Sequence, residues 1–438
     1  MTDQLTIQTF VQGQWRDALI LTIENPQKVM VGACSTAYDG GYLVDFIDQL
    51  ETRLEPAVSV NLPLAWDAHR DTGYPAFVYD IIPAGAAYRS LVKRFGGDNS
   101  EGLDMLFYLF KRCTPSPIGH LRVKESVEHL KAGALEAFDQ REVVERTNEF
   151  LEYAYEAGAA LGGATGAQGE APKLLMVEDA QGKLYADAML PDDQAQHHWL
   201  IKFARNKVTE TDKAILRAEY QYYQAIAQLG LNTVPVARMQ LCEAEKPSLW
   251  MPRFDRRVVD GRVERIAMES IYSVCNVKEQ GQRMDHEAVL YALAKLWRQN
   301  GQGDEIEGLV FEYVRRDLLN KILGNSDNHG RNSAIFRTEG RFQLAPIYDL
   351  APMVLDAEGV TRATKWDAER KGNPDWGQIC ADLREFVAPD RLMKHLKTSA
   401  ETFRALPGLL SELPEEVKAS RNIPLNDLDK RLTEWGLR

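Results

Sequence analysis

Paired cysteines, long apolar runs and an excess of positive charge are all absent from this sequence. The five cysteines are scattered without a CxxC pair, which argues against a disulfide framework and against a cysteine-ligated zinc site. No apolar run approaches the ~20 residues of a membrane-spanning helix, so we expect no membrane segment. The formal net charge is −12. Direct nucleic-acid binding as the main activity is therefore not expected, because phosphate contacts need a positive surface.

Two further absences concern the compartment and the chemistry. The first fifteen residues, MTDQLTIQTFVQGQW, contain no basic segment followed by an apolar one. We therefore expect no signal peptide, and a cytoplasmic protein with reduced thiols. The eight histidines form no HxxxH or HExxH motif. On a strand, the adjacent His197 and His198 would face opposite sides, so a zinc hydrolase is not indicated either.

The order of strand-like and helix-like segments predicts an α+β fold. Thr6 to Thr22 reads as a β-hairpin that turns at Gly13, and apolar residues at helical spacing predict a helix over about 212–229. After residue 265 helices dominate. A small β-rich lobe followed by a larger helical lobe is the outline of a two-lobed protein kinase. We predict an N-terminal subdomain, a kinase N-lobe and a helical C-lobe over residues 1–125, 126–254 and 255–438.

The segment NSDNHGRNSAIFRTEGRFQLAPIYD (residues 325–349) is the most informative part of the chain. SAIF and RFQL can pair as strands around a turn at Thr338-Glu339-Gly340. Such a hairpin returns the chain to its starting end and brings Asp327 and Asn332 near Asp349. Two carboxylates and one carboxamide form a suitable site for Mg²⁺, which prefers oxygen ligands and completes its shell with substrate phosphates.

The spacing Asp-x-x-x-x-Asn is that of a protein-kinase catalytic loop. On this interpretation Asp327 orients and deprotonates the attacking hydroxyl, while Asn332 and Asp349 hold Mg²⁺ against the phosphates of ATP. Asn, Asp and Gly are also common in ordinary turns. The preceding helix, the hairpin and the second aspartate favour the catalytic interpretation.

Lys202 lies in the apolar strand WLIKF (residues 199–203). A buried ammonium needs a partner, because leaving it unpaired in an apolar environment is costly. In kinases the partners are ATP phosphates and a helix carboxylate, and Glu219 in the predicted helix is the candidate. The alternative is an edge-strand lysine whose end reaches water.

A glycine-rich segment, GGATGAQG (residues 162–169), precedes the first strand of the predicted N-lobe. Glycines allow a backbone to approach phosphates closely. The segment matches neither the P-loop pattern nor a clean GxGxxG, and an ordinary loop would have the same composition. Lys173, a few residues further on, could also contact phosphate or could simply be solvated.

Together these segments resemble the HipA family, bacterial serine/threonine kinases of toxin–antitoxin systems. The matching stretches, in the family's order, are GEAPK (169–173), WLIKF (199–203), EYQYYQAIAQLGL (219–231), RFDRR (253–257), NSDNHGRN (325–332) and IYDLAP (347–352). The resemblance implies a two-lobed kinase with an added N-terminal subdomain that uses ATP and Mg²⁺. It further implies a protein substrate, reported in the family to be an aminoacyl-tRNA synthetase, with growth arrest or persistence as the outcome. Many family members pair with a small DNA-binding antitoxin, so a HipB-like partner is implied.

The resemblance also implies roles for individual residues. Asp327 is similar to the family's catalytic aspartate, with His329 beside it in a D-x-H pattern, and Lys202 to its ATP-phosphate lysine, held by Glu219. Asn332 and Asp349 correspond to the magnesium ligands. The other implied ATP-binding residues are Gly166, Gly169 and Lys173 in and after the loop, and Met251, Arg253 and Phe254 in the hinge that takes adenine.

The chain departs from the family pattern at two places. Many members carry an autophosphorylated serine in the glycine-rich loop, where this chain has Gly166 or, in a shifted register, Gly163; Thr165 is then the candidate phosphorylation site. In the hinge, Pro252 has no backbone N–H, so adenine must bond to a neighbour. Two other functions stay open: phosphoryl transfer to a small molecule, and a catalytically silent module that binds an antitoxin or acts on transcription.

Overall fold

The computed structural model describes residues 2–97, 99, 102–130, 135–146, 150, 154, 173–205, 208–279 and 281–438. The predicted ATP-binding loop, with Thr165, Gly166 and Gly169, lies outside these residues. The predictions for that loop therefore stay predictions.

Strands and helices alternate along the described chain. The strands are β1 (Asp3–Val11), β2 (Gln14–Ile23), β3 (Ala33–Tyr38), β4 (His69–Thr72), β5 (Leu121–Val123), β6 (Lys173–Glu178), β7 (Leu184–Ala186), β8 (His197–Phe203), β9 (Gln240–Cys242), β10 (Ser248–Pro252), β11 (Arg256–Val259), β12 (Arg262–Arg265), β13 (Met268–Ser270), β14 (Met284–Asp285), β15 (Ala334–Thr338), β16 (Arg341–Leu344), β17 (Thr364–Lys365), β18 (Glu369–Arg370) and β19 (Asn373–Pro374). The α-helices are α1 (Gly40–Asp45), α2 (Val78–Ile81), α3 (Gly85–Phe95), α4 (Met105–Arg112), α5 (Lys124–Leu130), α6 (Gln140–Glu145), α7 (Glu210–Gln228), α8 (Ile271–Val274), α9 (His286–Gln299), α10 (Ile306–Ile322), α11 (Trp376–Asp382), α12 (Pro389–Phe403), α13 (Leu406–Leu409), α14 (Glu415–Lys418) and α15 (Leu428–Glu434). The 3-10 helices are Val29–Val31, Ile47–Gln49, Asp192–Gln194, Gly303–Glu305, Met353–Leu355 and Pro424–Asp427.

The N-terminal subdomain is built on an antiparallel sheet in the order β4-β3-β2-β1-β5. The predicted hairpin forms its centre, with Val11 opposite Gln14. Gln12 and Gly13 both have positive φ, as the favoured two-residue hairpin turn requires. One face of this sheet is covered by helices and loops and has its own apolar core.

A second five-stranded sheet, in the order β7-β6-β8-β10-β9, forms the N-lobe. Helix α7 lies in the chain between β8 and β9. It begins with a capping box, in which Thr209 and Asp212 bond to each other's backbone N–H. Its apolar face joins the large core of the C-lobe, and the Tyr222 hydroxyl donates to the Leu323 carbonyl at 3.1 Å. The predicted helix is confirmed, and it is fixed to the lobe that carries the predicted catalytic loop.

The C-lobe is mainly helical and contains the predicted hairpin of β15 and β16, extended by β13. Thr338 pairs with Arg341, so Thr338 belongs to the strand and the turn is Glu339-Gly340 alone, both with positive φ. The α+β, two-lobed fold class with an extra N-terminal subdomain is confirmed. Among the described residues no helix has the length and apolar character needed to span a bilayer.

Arg337 docks the N-terminal subdomain onto the C-lobe. Its guanidinium is fully buried and donates to the carbonyls of residues 53, 54, 57 and 58 at 3.0–3.1 Å. Its Nε lies 3.1 Å from Glu269 Oε2, and that carboxylate accepts from the Ser59 hydroxyl and the Val60 N–H. Arg337 and Glu269 of the C-lobe therefore neutralise each other's charge, and both bond to the same segment of the N-terminal subdomain.

Arg337→Met is expected to lower the free energy of unfolding by about 3–5 kcal/mol, because it leaves a buried carboxylate without its cation and four carbonyls without a donor. Urea unfolding followed by circular dichroism measures the change. Arg257→Met is the control: this side chain is 55% exposed in its pair with Glu339, and we expect a change within ~0.5 kcal/mol. A loss under ~1 kcal/mol at Arg337 would contradict the docking role.

Candidate active site

A cleft lies where the N-lobe, the C-lobe and the N-terminal subdomain meet. Its polar lining includes two lysines and two carboxylates that lie close together, Lys173, Lys202, Glu219 and Asp349. Apolar side chains of the two lobes also line the cleft, among them Leu200, Val234, Met251, Pro252, Phe254 and Tyr348. This combination suits a ligand with one apolar and one anionic part.

Asp349 is held by two ammonium groups. Lys202 Nζ lies 2.8 Å from its Oδ1, and Lys173 Nζ lies 3.0 Å from its Oδ2. Lys202 also donates to Glu219 Oε2 at 2.5 Å, so the partner predicted for Lys202 is confirmed. The four side chains carry two positive and two negative charges, and all are buried or nearly so.

The electrostatics of the cluster keep Asp349 charged. Burial by itself raises a carboxyl pKa, but Lys173 and Lys202 hold the pKa of Asp349 well below its usual range. Burial also opposes the charge on Lys202, yet Asp349 and Glu219 together raise the pKa of that ammonium. For Lys173 burial prevails and lowers its pKa. Lys202 and Asp349 are therefore both charged at neutral pH.

Backbone geometry places these groups. Glu219 lies midway along α7, where the Tyr223 hydroxyl, one turn later, donates to its Oε1 at 3.1 Å. The same hydroxyl accepts from the Leu350 N–H at 3.3 Å, so it joins α7 to the chain just after Asp349. Asp349 itself has φ +53, a left-handed conformation that aspartate tolerates better than most residues. Tyr223 was not among the predicted site residues.

The predicted catalytic loop is organised by Asn325. Its Oδ1 accepts from the Asp327 N–H at 3.1 Å, and its Nδ2 lies 3.3 Å from the Asp349 carbonyl. Asn332 closes the loop by donating from Nδ2 to the Asp327 carbonyl at 2.7 Å. Asp327, His329 and Asn332 do not line the cleft themselves; Asn325, which sequence reasoning did not single out, connects them to it.

His329 is buried beside Asp327. Its Nδ1 accepts from the Arg331 N–H at 3.2 Å, which assigns the proton to Nε2, and Nε2 lies 3.5 Å from Asp327 Oδ1. Burial lowers the pKa of the imidazole. His329 therefore faces the Asp327 carboxylate as a neutral ring, and its Nε2 makes no hydrogen bond with the described residues. The loop packs so closely that a Cβ on Gly330 would lie 2.3 Å from the Tyr272 ring.

Asn332 and Asp349 fit a hard cation by their chemistry. The Oδ1 atom of Asn332 is buried and accepts no hydrogen bond from the described residues, which is costly unless a cation or water faces it. In the described part of the chain, no group of three or more His, Cys, Asp or Glu side chains forms a metal site. A magnesium ion held by Asn332 and Asp349 would therefore need further oxygens from phosphate and water.

The three predicted hinge residues differ in what they can offer to adenine. Met251 lies in β10 opposite Leu200 and is buried in the cleft wall. Phe254 packs against Tyr348, with ring centroids 5.5 Å apart. The Arg253 N–H donates to the His198 carbonyl at 2.9 Å, and its guanidinium pairs with Asp187 and Asp255. A ligand-binding role for Arg253 would thus have to use its carbonyl oxygen.

Comparison with known proteins places this site in a family. The model of the HipA-like C-terminal domain matches residues 162–406, more than half of the chain. The chain belongs to the HipA-like C-terminal domain family. HipA of the Shewanella oneidensis MR-1 toxin–antitoxin system, solved with HipB and its operator DNA, shares 16% identity at a TM-score of 0.65, covering 99% of this chain and 96% of that one. At that identity the likeness establishes a common fold.

A second solved structure, the proinflammatory kinase CtkA of Helicobacter pylori, matches at a TM-score of 0.37 and 16% identity, covering 63% of this chain and 90% of that one. That likeness is too distant to carry an argument. No curated protein matches the sequence. The predicted resemblance to HipA is confirmed by the family model and by the fold.

The N-terminal subdomain of this HipA-like chain also lines the cleft, through Val58, Phe77, Asp80, Ile81, Ile118 and Leu121. Asp80 reaches the C-lobe, where its carboxylate accepts from the N–H and the hydroxyl of Ser270 and lies 3.8 Å from Arg331 Nε in the catalytic loop. Burial raises the pKa of Asp80 to about 6. The residues in these contacts are separated by about half of the sequence, and no local sequence pattern predicts them.

Below the catalytic loop of the HipA-like domain lies a buried network around Asp317 of α10. Arg362 Nη2 and the Trp366 indole N–H donate to its carboxylate at 2.7–3.0 Å. His286 stacks on Trp366, accepts or donates at the Tyr313 hydroxyl, and lies 3.5 Å from Asp317. Burial is the main reason that the pKa of His286 is lowered to about 4.

His286 should make the protein sensitive to acid. Between about pH 6.5 and pH 4 the unfolded chain protonates this histidine and the folded chain does not, so stability falls as the pH falls, by roughly 3 kcal/mol over the whole window. We expect His286→Gln to reduce the loss between pH 7.5 and pH 5 by roughly 2 kcal/mol in urea unfolding. His69→Gln, at an exposed histidine, is the control. Equal pH profiles for the wild type and His286→Gln would contradict the assignment.

Proposed function

We propose that this HipA-like protein is an ATP- and Mg²⁺-dependent serine/threonine protein kinase. The observation that carries the proposal is the buried cluster in which Lys202 bridges Glu219 and Asp349. Protein kinases use this arrangement at ATP phosphates: a lysine on an N-lobe strand pairs with a helix glutamate and faces an aspartate. A purely structural ion pair would not require a second lysine, Lys173, on the same carboxylate.

The proposed reaction transfers the γ-phosphoryl group of ATP to a hydroxyl. The hydroxyl oxygen forms a bond to the γ-phosphorus as the bond from that phosphorus to the β–γ bridging oxygen breaks, which releases ADP. Asp327 accepts the hydroxyl proton, and His329 keeps the carboxylate oriented. Lys202 and Lys173 face the phosphates and stabilise their charge. Magnesium, when bound by Asn332 and Asp349, supplies further neutralisation of phosphate charge.

The adenine end of the nucleotide is proposed to occupy the apolar wall formed by Met251, Phe254 and Tyr348. Because Pro252 has no N–H and the Arg253 N–H is engaged by His198, the hinge offers few free donors. Apolar contact and stacking on Phe254 would contribute more to adenine binding here than hinge hydrogen bonds. Gly166 and Gly169 are proposed to cover the phosphates, with Thr165 as the candidate autophosphorylation site.

The biological setting is proposed from the family. The substrate would be a cytosolic protein such as an aminoacyl-tRNA synthetase, and its phosphorylation would cause growth arrest or persistence. HipA of Shewanella oneidensis was solved with HipB and operator DNA, and a HipB-like DNA-binding antitoxin is the proposed partner. With a net charge of −12, this chain would reach DNA through that partner rather than directly.

Incubation of the purified protein with γ-labelled ATP and Mg²⁺, alone and with a cell lysate, tests the proposal. Asp327→Ala, carried through the same steps, is the control for contaminating kinases. We expect label on a lysate protein with the wild type and none with the variant, and mass spectrometry then names the acceptor and tests Thr165. Label on a metabolite would show a small-molecule phosphotransferase instead. If the protein neither transfers phosphate nor binds ATP, the remaining function is that of a catalytically silent binding module.

A further inference from the structure

Asn328, the residue after the proposed catalytic aspartate, is bonded to a distant segment of the C-lobe. Its Nδ2 donates to the Thr364 carbonyl at 2.7 Å, and its Oδ1 accepts from the N–H groups of Ala363 and Thr364 at 3.1 and 3.3 Å. The Thr364 hydroxyl donates back to the Asn328 carbonyl at 2.8 Å. Four hydrogen bonds between one loop residue and two consecutive residues fix both backbones relative to each other.

The same segment, residues 362–366, is attached a second time. Arg362 and Trp366, at its two ends, bond to Asp317 of α10, the helix that leads into the catalytic loop. On its other side, Thr364 pairs in parallel with Met284 of β14. Helix α10, the loop and residues 362–366 are therefore joined by hydrogen bonds into one unit. The backbone next to Asp327 is fixed relative to residues 362–366.

The buried charge of Arg362 is already paired in the unmodified chain. Arg362 pairs with Asp317 and also lies 3.3 Å from Glu369. Lys321, which donates to the Gly372 carbonyl, is the nearby second cation. Kinase loops that are ordered by phosphorylation leave an arginine for the incoming phosphate. Here the arginine already has carboxylate partners, because Arg362 Nη2 donates to both Asp317 and Glu369.

We propose that Asn328 is a positioning residue for phosphoryl transfer, and that residues 362–366 are the platform along which the acceptor chain lies, assembled without a phosphorylated side chain. The inference rests on the proposed kinase function. The acceptor hydroxyl must reach Asp327, and residues 362–366 are the segment that Asn328 holds beside it. Ala363 and Lys365 are half-buried there, so part of each side chain is open to an acceptor.

Asn328→Ala removes three of the four bonds, Thr364→Val removes the fourth, and the double variant tests whether they act together. Asn300→Ala is the matched control, since Asn300 is a half-buried C-lobe asparagine whose amide also donates to a carbonyl, that of Gly340. All proteins are treated with a phosphatase, which is then removed. Transfer from labelled Mg·ATP to dephosphorylated casein gives kcat and KM, and calorimetry gives the Kd for Mg·ATP.

We expect Asn328→Ala to lower kcat at least ~10-fold and to raise the KM for casein, because small misplacements of reacting groups are costly. The Kd for Mg·ATP should stay within twofold, which a general structural defect would not allow. The effects of Asn328→Ala and Thr364→Val should be less than additive, and Asn300→Ala should match the wild type.

Two results would overturn the inference alone: an Asn328→Ala kcat within twofold of an active wild type, or a loss in Mg·ATP binding and melting temperature that parallels the loss in kcat. If the wild-type protein transfers phosphate before the phosphatase treatment but not after it, the claim that residues 362–366 are assembled without a phosphorylated side chain is overturned. A wild type that binds Mg·ATP but phosphorylates neither casein nor any lysate protein would overturn the proposed function and this inference with it.

Discussion

Asp327→Ala is expected to lower the rate of phosphoryl transfer by about 10³-fold, because it removes the group that orients the hydroxyl and accepts its proton. Asp327 is half-buried at the loop surface, and the loop is held through the main chain by Asn325 and Asn332. The fold should therefore survive. Asp327→Asn, which keeps the shape but cannot take the proton, should lose nearly as much.

Single-turnover transfer of labelled phosphate measures the effect, with circular dichroism to verify folding. Asp304→Ala, at an exposed C-lobe aspartate in a 3-10 helix, is the control and should retain the wild-type rate. Affinity for Mg·ATP should change little in Asp327→Ala. If either Asp327 variant transfers phosphate at a rate near that of the wild type, another residue is the base and the catalytic loop is misassigned.

Asp349→Asn is expected to abolish the dependence of ATP binding on Mg²⁺. In the structure the Asp349 carboxylate pairs with Lys173 and Lys202. In the proposed complex the same carboxylate binds Mg²⁺. The variant loses a metal ligand, while its two ammonium groups still attract phosphate. Calorimetric titration with ATP should show an Mg²⁺-dependent gain in affinity for the wild type and none for the variant.

Glu219→Gln is the matched control for this experiment. It also removes one carboxylate from the buried cluster, and both variants should lose about 3–5 kcal/mol of stability, because breaking a buried ion pair leaves an uncompensated charge. Of these two carboxylates, Asp349 is a proposed metal ligand and Glu219 is not, so Glu219→Gln should keep its response to Mg²⁺. Equal loss of that response in both variants would show that Asp349 acts only through the lysines.

Local pattern predicted much of the fold and part of the site. The first hairpin, helix α7 and the β15–β16 hairpin follow from short-range periodicity and turn chemistry, which act within a few residues. The pair of Lys202 and Glu219 was predictable for another reason: a lysine inside an apolar strand requires a buried carboxylate, and the next helix offered one.

The remaining features depend on contacts between residues far apart in sequence. Nothing near Lys173 indicates that its ammonium pairs with Asp349. Asn325 resembles any turn asparagine until its bonds to both proposed site aspartates are seen. Asp80, in an apolar stretch of the first subdomain, approaches Arg331 only because the two units dock. The roles of Thr165, Gly166 and Gly169 stay predictions, since they lie outside the described residues.

The buried contacts of Arg337 with the first subdomain affect how this chain could be divided or recombined. A segment joined by a flexible linker can be deleted or exchanged without harm to its neighbour. The first subdomain is different, because its removal would open Arg337, Glu269 and one wall of the cleft to water. The catalytic lobes should therefore not work as a free-standing module. A gene fusion or truncation that replaced the first subdomain would have to supply the same four carbonyl acceptors to keep the two lobes intact.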